Sequence, residues 1–130
     1  MFWTSNFSLG VNIVMEINKR LASIMKRYNY YNVSMTEIHH TEKKDAPSGT
    51  AIVLADQIEA GFGKRPEIES IREGKVPGIH EMRYDSDVDL ITLRHEAKSR
   101  DGLALGAVLA AEFMEGKPAG FYSMEDLMSL

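Results

Sequence analysis

Between residues 11 and 39 the apolar periodicity changes once, and that change constrains the fold more than any other feature of the chain. Val11, Val14, Ile17, Leu21, Ile24, Met25 and Tyr28 recur at steps of three and four. That spacing predicts a helix over 11–28 with one apolar stripe. Lys19, Arg20, Lys26 and Arg27 fall mostly off the stripe, and Asn6 or Ser8 is placed to cap its start. From residue 31 the period drops to two. Tyr31, Val33 and Met35 alternate with Asn32, Ser34 and Thr36, which predicts a strand over 31–39. A second helix is expected over 49–61. Its inner face is Ala51, Leu54, Ala55, Ile58 and Phe62, and Gly61 and Gly63 end it.

The rest of the chain groups its strands. Residues 63–79 are rich in turn formers, with a short strand near 68–72. Strands over 79–85 and 88–96 are joined by the polar Asp85-Ser86-Asp87, as in a hairpin. An Ala- and Leu-rich helix over 102–115 stops at Gly116-Lys117-Pro118. A tail over 124–130 has Ser123 as its cap and acids in its first turn. Strands that cluster instead of alternating with helices imply an α+β fold, a mixed β-sheet with helices packed on one face. There is no internal repeat. The length of 130 residues suits a single domain with one core.

Composition narrows the function. Fifteen basic residues stand against 19 acidic ones, for a net charge of −4. No broad positive field is available to nucleic acid. The absence of cysteine excludes disulfides and thiolate metal sites, and it permits a cytoplasmic location. No apolar run approaches the roughly 20 residues needed to cross a bilayer. Met1-Phe2-Trp3-Thr4 lacks the basic start of a signal peptide and reads as a chain entering mid-fold.

Chemistry concentrates in residues 37–50, which read Glu-Ile-His-His-Thr-Glu-Lys-Lys-Asp-Ala-Pro-Ser-Gly-Thr. His39 shares a strand face with Glu37 and Met35, while His40 points the other way. Histidine exchanges protons near neutral pH, and Lys43 adds positive charge beside it. Ser48-Gly49-Thr50 opens a helix, where free backbone N–H groups and the dipole favour an anion. Together these residues outline a pocket for a carboxylate or phosphate. The alternatives at this point are surface histidines and a plain helix cap. A metal site is not expected, because His39 and His40 lack ligand spacing and no cysteine is present.

The run Glu37-Ile38-His39-His40, Lys43 and Asp45-Ala46-Pro47-Ser48-Gly49-Thr50-Ala51 resembles the signature of the dihydrodipicolinate reductases. Two more stretches agree. Asn6-Phe7-Ser8-Leu9-Gly10-Val11-Asn12 is similar to that family's crossover between domains. His95-Glu96-Ala97-Lys98-Ser99-Arg100, leading into Gly106-Ala107, is similar to its last strand and long helix. After Arg100 the chain departs from the family's Phe-containing run.

The resemblance implies an NAD(P)H-dependent reductase of lysine and diaminopimelate biosynthesis acting on a cyclic dicarboxylate. It implies His39 as the catalytic proton donor, Lys43 as its partner, and His40, Ser48, Gly49 and Thr50 as substrate contacts. Thr4, Ser5, Asn6 and Phe7 would line the nicotinamide end of NADPH or NADH. The family's nucleotide-binding Rossmann domain is expected to be absent from these residues. Gly61-Phe62-Gly63-Lys64-Arg65-Pro66 is the nearest thing to a Gly-rich loop and reads as a helix stop. Residues 1–130 are expected to form one substrate-binding and oligomerisation domain, with 1–10 a crossover and 119–130 a returning tail. It is expected to assemble as a homo-tetramer and, alone, to be inactive. The competing reading is a non-catalytic dicarboxylate-binding or assembly module.

Overall fold

A computed structural model describes residues 1–130. Its elements are α1 (Leu9–Met25), β1 (Asn32–His39), α2 (Gly49–Phe62), β2 (Glu67–Arg72), β3 (Gly78–Asp85), β4 (Leu90–Ala97), α3 (Asp101–Met114) and α4 (Met124–Leu127). Every expected element is present. The chain gathers into two compact units, one made of Met1–Ile13 with Ser99–Leu130, the other of Val14–Lys98.

The unit Val14–Lys98 holds a four-stranded sheet in the order β2-β1-β3-β4. β1 and β2 are parallel, a pairing that needs a crossover, and α2 supplies it. The β1–β3 and β3–β4 pairs are antiparallel, so the sheet is mixed. Its register sets Ile68, Met35, Met82 and Leu93 in one row across all four strands, with Val33, Tyr84 and Ile91 in the row beside it. Ala22 and Met25 of α1 and Ala51, Leu54, Ala55, Ile58 and Phe62 of α2 close over these rows to make the core. The helices of this unit thus pack on one face, as the alternation implied. The other face carries Glu81, Arg83, Arg94 and Glu96, joined by ion pairs.

One sequence expectation is narrowed and two shift. Ser8 caps α1, accepting the N–H of Val11 at 3.3 Å. The buried stripe of α1 runs through Val11, Asn18, Ala22 and Met25, while Ile17, Ile24 and Tyr28 are exposed. The reason is Asn18. Its Nδ2 donates to Leu54 O at 3.1 Å and to Gln57 Oε1 at 3.0 Å, so both amide protons of a residue that hydropathy places outside find acceptors inside, while its Oδ1 is buried without a partner. Gly61 does not end α2. It lies within the helix where a Cβ would stand 2.8 Å from Ala22 Cβ, and its bareness lets α2 approach α1. The stop is Gly63, at φ 91°, whose N–H bonds Glu59 O.

In the other unit the start of the chain pairs with its tail. Trp3 N donates to Tyr122 O at 2.9 Å and Tyr122 N to Met1 O at 2.8 Å. Phe113 of α3 meets Phe2 and Tyr122 edge-on. α4 opens with a capping box between Ser123 and Asp126. α3 lies so close to residues 7–8 that a Cβ on Gly106 would stand 1.6 Å from Phe7 O.

Alanine normally improves a helix interior by about 1 kcal/mol over glycine. At Gly106 the clash should reverse that sign, and Gly106→Ala is expected to destabilise by about 1–3 kcal/mol. Gly49→Ala, where a Cβ meets nothing within 4 Å, should be close to neutral. Urea denaturation midpoints of the two variants check the contrast.

Candidate active site

The helix-covered face of the sheet does not stay apolar. On β1 the inward positions after Met35 are Glu37 and His39. The register carries the change across the sheet. Ser70, Glu37, His80 and His95 form one row from β2 to β4, and Arg72 lies beside His39 in the next. One end of the face is therefore core and the other is ionisable. A cleft lined by Tyr30, Asn32, Asp85, Ser86, Asp87 and Val88 lies at the opposite end of the sheet from these histidines.

Glu37 is fully buried. One of its oxygens accepts from Arg72 Nη1, and the other stands 2.7 Å from His39 Nδ1. That last pair has ion-pair distance without the alignment of an ideal hydrogen bond. Burial works against the Glu37 charge, but hydrogen bonds from Arg72 and Ser70 outweigh it, and its carboxyl is held below the usual range. His39 moves down as well. Burial is the main cause and the positive charges of Lys43 and Arg72 add to it, against the pull of Glu37. His80 is buried. Burial, with the neighbouring His39, pushes its pKa down to about 4, so it is neutral at physiological pH.

The second half of the site is the N-terminus of α2. Ser48 is its N-cap in extended geometry and accepts the N–H of Ala51 at 3.1 Å. The same oxygen is hydrogen-bonded to His80 Nε2 at 2.9 Å, which ties the start of α2 to the histidine row. Gly49 and Thr50 are the first two residues of the helix. Open space faces Gly49, in keeping with the close approach of a ligand.

The loop between β1 and α2 is pinned from β2 and the turn after it. Glu73 N donates to His39 O at 2.9 Å, Thr41 N to Gly74 O at 3.1 Å, and Arg72 Nη2 to Asp45 O at 2.6 Å. Lys43 closes a turn on the carbonyl of His40 and pairs with Asp45 at 3.1 Å. His39, Lys43 and Ser48 thus converge in the Val14–Lys98 unit, with His40 just past the end of β1 and Gly49 and Thr50 opening α2. Thr4, Ser5, Asn6 and Phe7 belong to the other unit. There Thr4 Oγ1 donates to Asn6 O, and Asn6 Oδ1 accepts from Ser8 N.

Sequence reasoning from residues 37–50 did not reach His80, His95 and Arg72. Their signal was strand parity. His80 alternates with Met82 and Tyr84, and Arg72 with Ser70 and Ile68. The donor atoms of Glu37, His39 and His80 lie within 4.8 Å of one another. Arg72 sets a fixed positive charge against Glu37 at the edge of that cluster.

Residues 10–128 match the family model described as dihydrodipicolinate reductase, C-terminus. The chain belongs to that family. The 4-hydroxy-tetrahydrodipicolinate reductase of Christiangramia forsetii is 46% identical over 140 residues, a match spanning 98% of this chain and 58% of the relative. That of Thermosipho africanus is 42% identical over 123 residues, spanning 95% and 54%. The chain spans little more than half the length of these relatives. Among solved structures, a dipicolinate-bound dihydrodipicolinate reductase from Paenisporosarcina sp. TG-14 shares the fold with a TM-score of 0.71 at 24% identity, covering 93% of this chain and 52% of that one.

His80 gives a pH test of the site. It stays neutral when folded and takes up a proton below about 6.5 when unfolded. The unfolded state then binds more protons, so stability falls as pH drops from about 6.5 to about 4. A shift of that size corresponds to about 3 kcal/mol at full development. His39 and His95, also lowered by burial, act in the same direction. Urea midpoints across this range should decline, and His80→Gln should flatten the slope.

Proposed function

We propose that these residues form the substrate-binding and proton-donating domain of an NAD(P)H-dependent reductase that converts 4-hydroxy-tetrahydrodipicolinate to tetrahydrodipicolinate in lysine and diaminopimelate biosynthesis. The observation that carries the reading is the convergence of His39 and Lys43 with the Ser48-Gly49-Thr50 helix start. A dicarboxylate needs anion sites, and the N-terminus of α2 with Lys43 provides them. Ser48, bonded to His80, fixes that terminus to β3, the neighbour of the strand that bears His39. A solved dihydrodipicolinate reductase that shares the fold points the same way, since it holds dipicolinate.

The nicotinamide dinucleotide, when bound, supplies the hydride. Thr4, Ser5, Asn6 and Phe7 would border its ring. The polar atoms of Thr4 and Asn6 are engaged with each other and with Ser8 and Asn12, which suits a shaped edge and not a phosphate cradle. Gly61-Phe62-Gly63 offers no cradle either, being the end of α2. The residues of this chain have three tasks. The start of α2 holds a carboxylate, with His40 as a further contact. Lys43 balances substrate charge. His39 delivers the proton to the carbon beside the one that is reduced and recovers it from solvent.

The same reading treats residues 1–130 as one binding and assembly domain, cytoplasmic and tetrameric. The ion-paired outer face of the sheet is its assembly surface, and light scattering reads the oligomer. Alone, the 130 residues are expected to show negligible NAD(P)H oxidation.

Calorimetric titration with pyridine-2,6-dicarboxylate tests the site directly. Binding is expected, and Lys43→Ala should weaken it. Because burial keeps His39 below its usual proton affinity, an arriving dianion should raise it and draw a proton from the buffer near pH 7. Buffers of different ionisation enthalpy reveal that uptake. His39→Gln should abolish the uptake while leaving binding largely intact. In a chain that includes a nucleotide domain, the same variant should cut turnover by roughly 10²–10⁴. No binding, or an unchanged rate, removes the reading.

A further inference from the structure

His39 is the last residue of β1, and the structure surrounds its two ring nitrogens differently. Nδ1 stands 2.7 Å from Glu37 Oε2. Nε2 faces β3 at Gly78, where a Cβ would come within 3.1 Å of it. A neutral imidazole carries one proton and can hold it on either nitrogen. An ionised carboxylate only accepts hydrogen bonds, so the nitrogen that faces it keeps the proton.

Glu37 is equipped to stay ionised although it is buried. Arg72 holds its Oε1 and is itself anchored to the carbonyls of Ile71 and Asp45. The carboxylate cannot turn away without breaking that clamp. The opposite nitrogen lies against Gly78, the residue type with no side chain to crowd it.

We propose that Glu37 is a positioning residue for proton transfer: held by Arg72, it keeps the proton on His39 Nδ1 and makes Nε2 the nitrogen that exchanges with the bound dicarboxylate. The proposal rests on the reading of His39 as proton donor. In the transfer the Nε2–H bond breaks and a C–H bond forms on the substrate. The ring keeps its Nδ1 proton throughout, and Glu37 stays ionised.

The groups that face His39 set its charge balance. Glu37 comes from β1, Arg72 and Ser70 from β2, His80 from β3 with His95 behind it on β4, and Lys43 and Asp45 from the following loop. His80 is neutral and hydrogen-bonded to Ser48, so it adds no competing cation beside His39 at neutral pH.

Nitrogen-15 NMR of the imidazole rings in the 130-residue chain tests the proposal. Neutral His39 should be the Nδ1–H tautomer, and an Nε2–H tautomer overturns the proposal without any variant being made. Glu37→Gln removes the charge and keeps the shape. His39 should then titrate at lower pH and populate both tautomers. Should that variant fail to fold, Arg72→Gln leaves the carboxylate and removes a positive neighbour. His39 should then titrate at higher pH and remain Nδ1–H. A merely structural Glu37 would change stability and leave tautomer and titration unmoved, and that result sinks the idea. Titration with pyridine-2,6-dicarboxylate separates the two levels. An Nδ1–H His39 in a protein that binds no dicarboxylate overturns the functional reading alone. Dicarboxylate binding by a protein whose His39 is Nε2–H overturns the positioning role alone.

Discussion

A carboxylate buried in the middle of a sheet is the constraint on which the site depends. Glu37 has no exposure, and an uncompensated charge there would cost several kcal/mol. Arg72, Ser70 and His39 are its compensation, and each reaches it from a fixed place in the strand register. Arg72 extends the arrangement by gripping the carbonyl of Asp45. The loop that carries Lys43 is therefore held by the same side chain that neutralises Glu37. Electrostatics and loop geometry share one residue.

The sheet also explains how a small unit keeps a stable core next to reactive groups. Both occupy one face, separated by rows and not by layers. Ile68, Met35, Met82 and Leu93 belong to the core, and the row that follows is Ser70, Glu37, His80 and His95. Close packing in the first row holds the strands in place. Distances in the second row inherit that definition. Ser48 then passes it on to the start of α2 through one hydroxyl that serves both the helix cap and His80.

Much of this was legible in the sequence. Period-two alternation identified β1, and with it the shared face of Met35, Glu37 and His39. The Ser-Gly-Thr triplet identified the start of α2, and the signature run identified the family. What escaped notice was non-local. Strand pairing brings His80 and Arg72 to Glu37, and nothing in residues 37–50 announces either partner. The burial of Asn18 in place of Ile17 escaped for a related reason, since the acceptors for its Nδ2 are a carbonyl and a side-chain amide oxygen 36 and 39 residues away. Gly61 shows the limit of local rules from the other side. A glycine near a helix end reads as a stop, yet here it is an opening for a neighbouring helix.

Placing core and chemistry on one face has a consequence for how such a sequence can vary. A slip of one residue in β3 would exchange His80 for Ile79 or Glu81 and turn Met82 and Tyr84 outward in the same step. Hydrophobic burial thus proofreads the alignment of the candidate site: a misregistered chain forfeits its core before it can assemble a wrong one. Insertions and deletions should be confined to the joints at 63–66, 73–77 and 86–89, while the strands drift only by substitution.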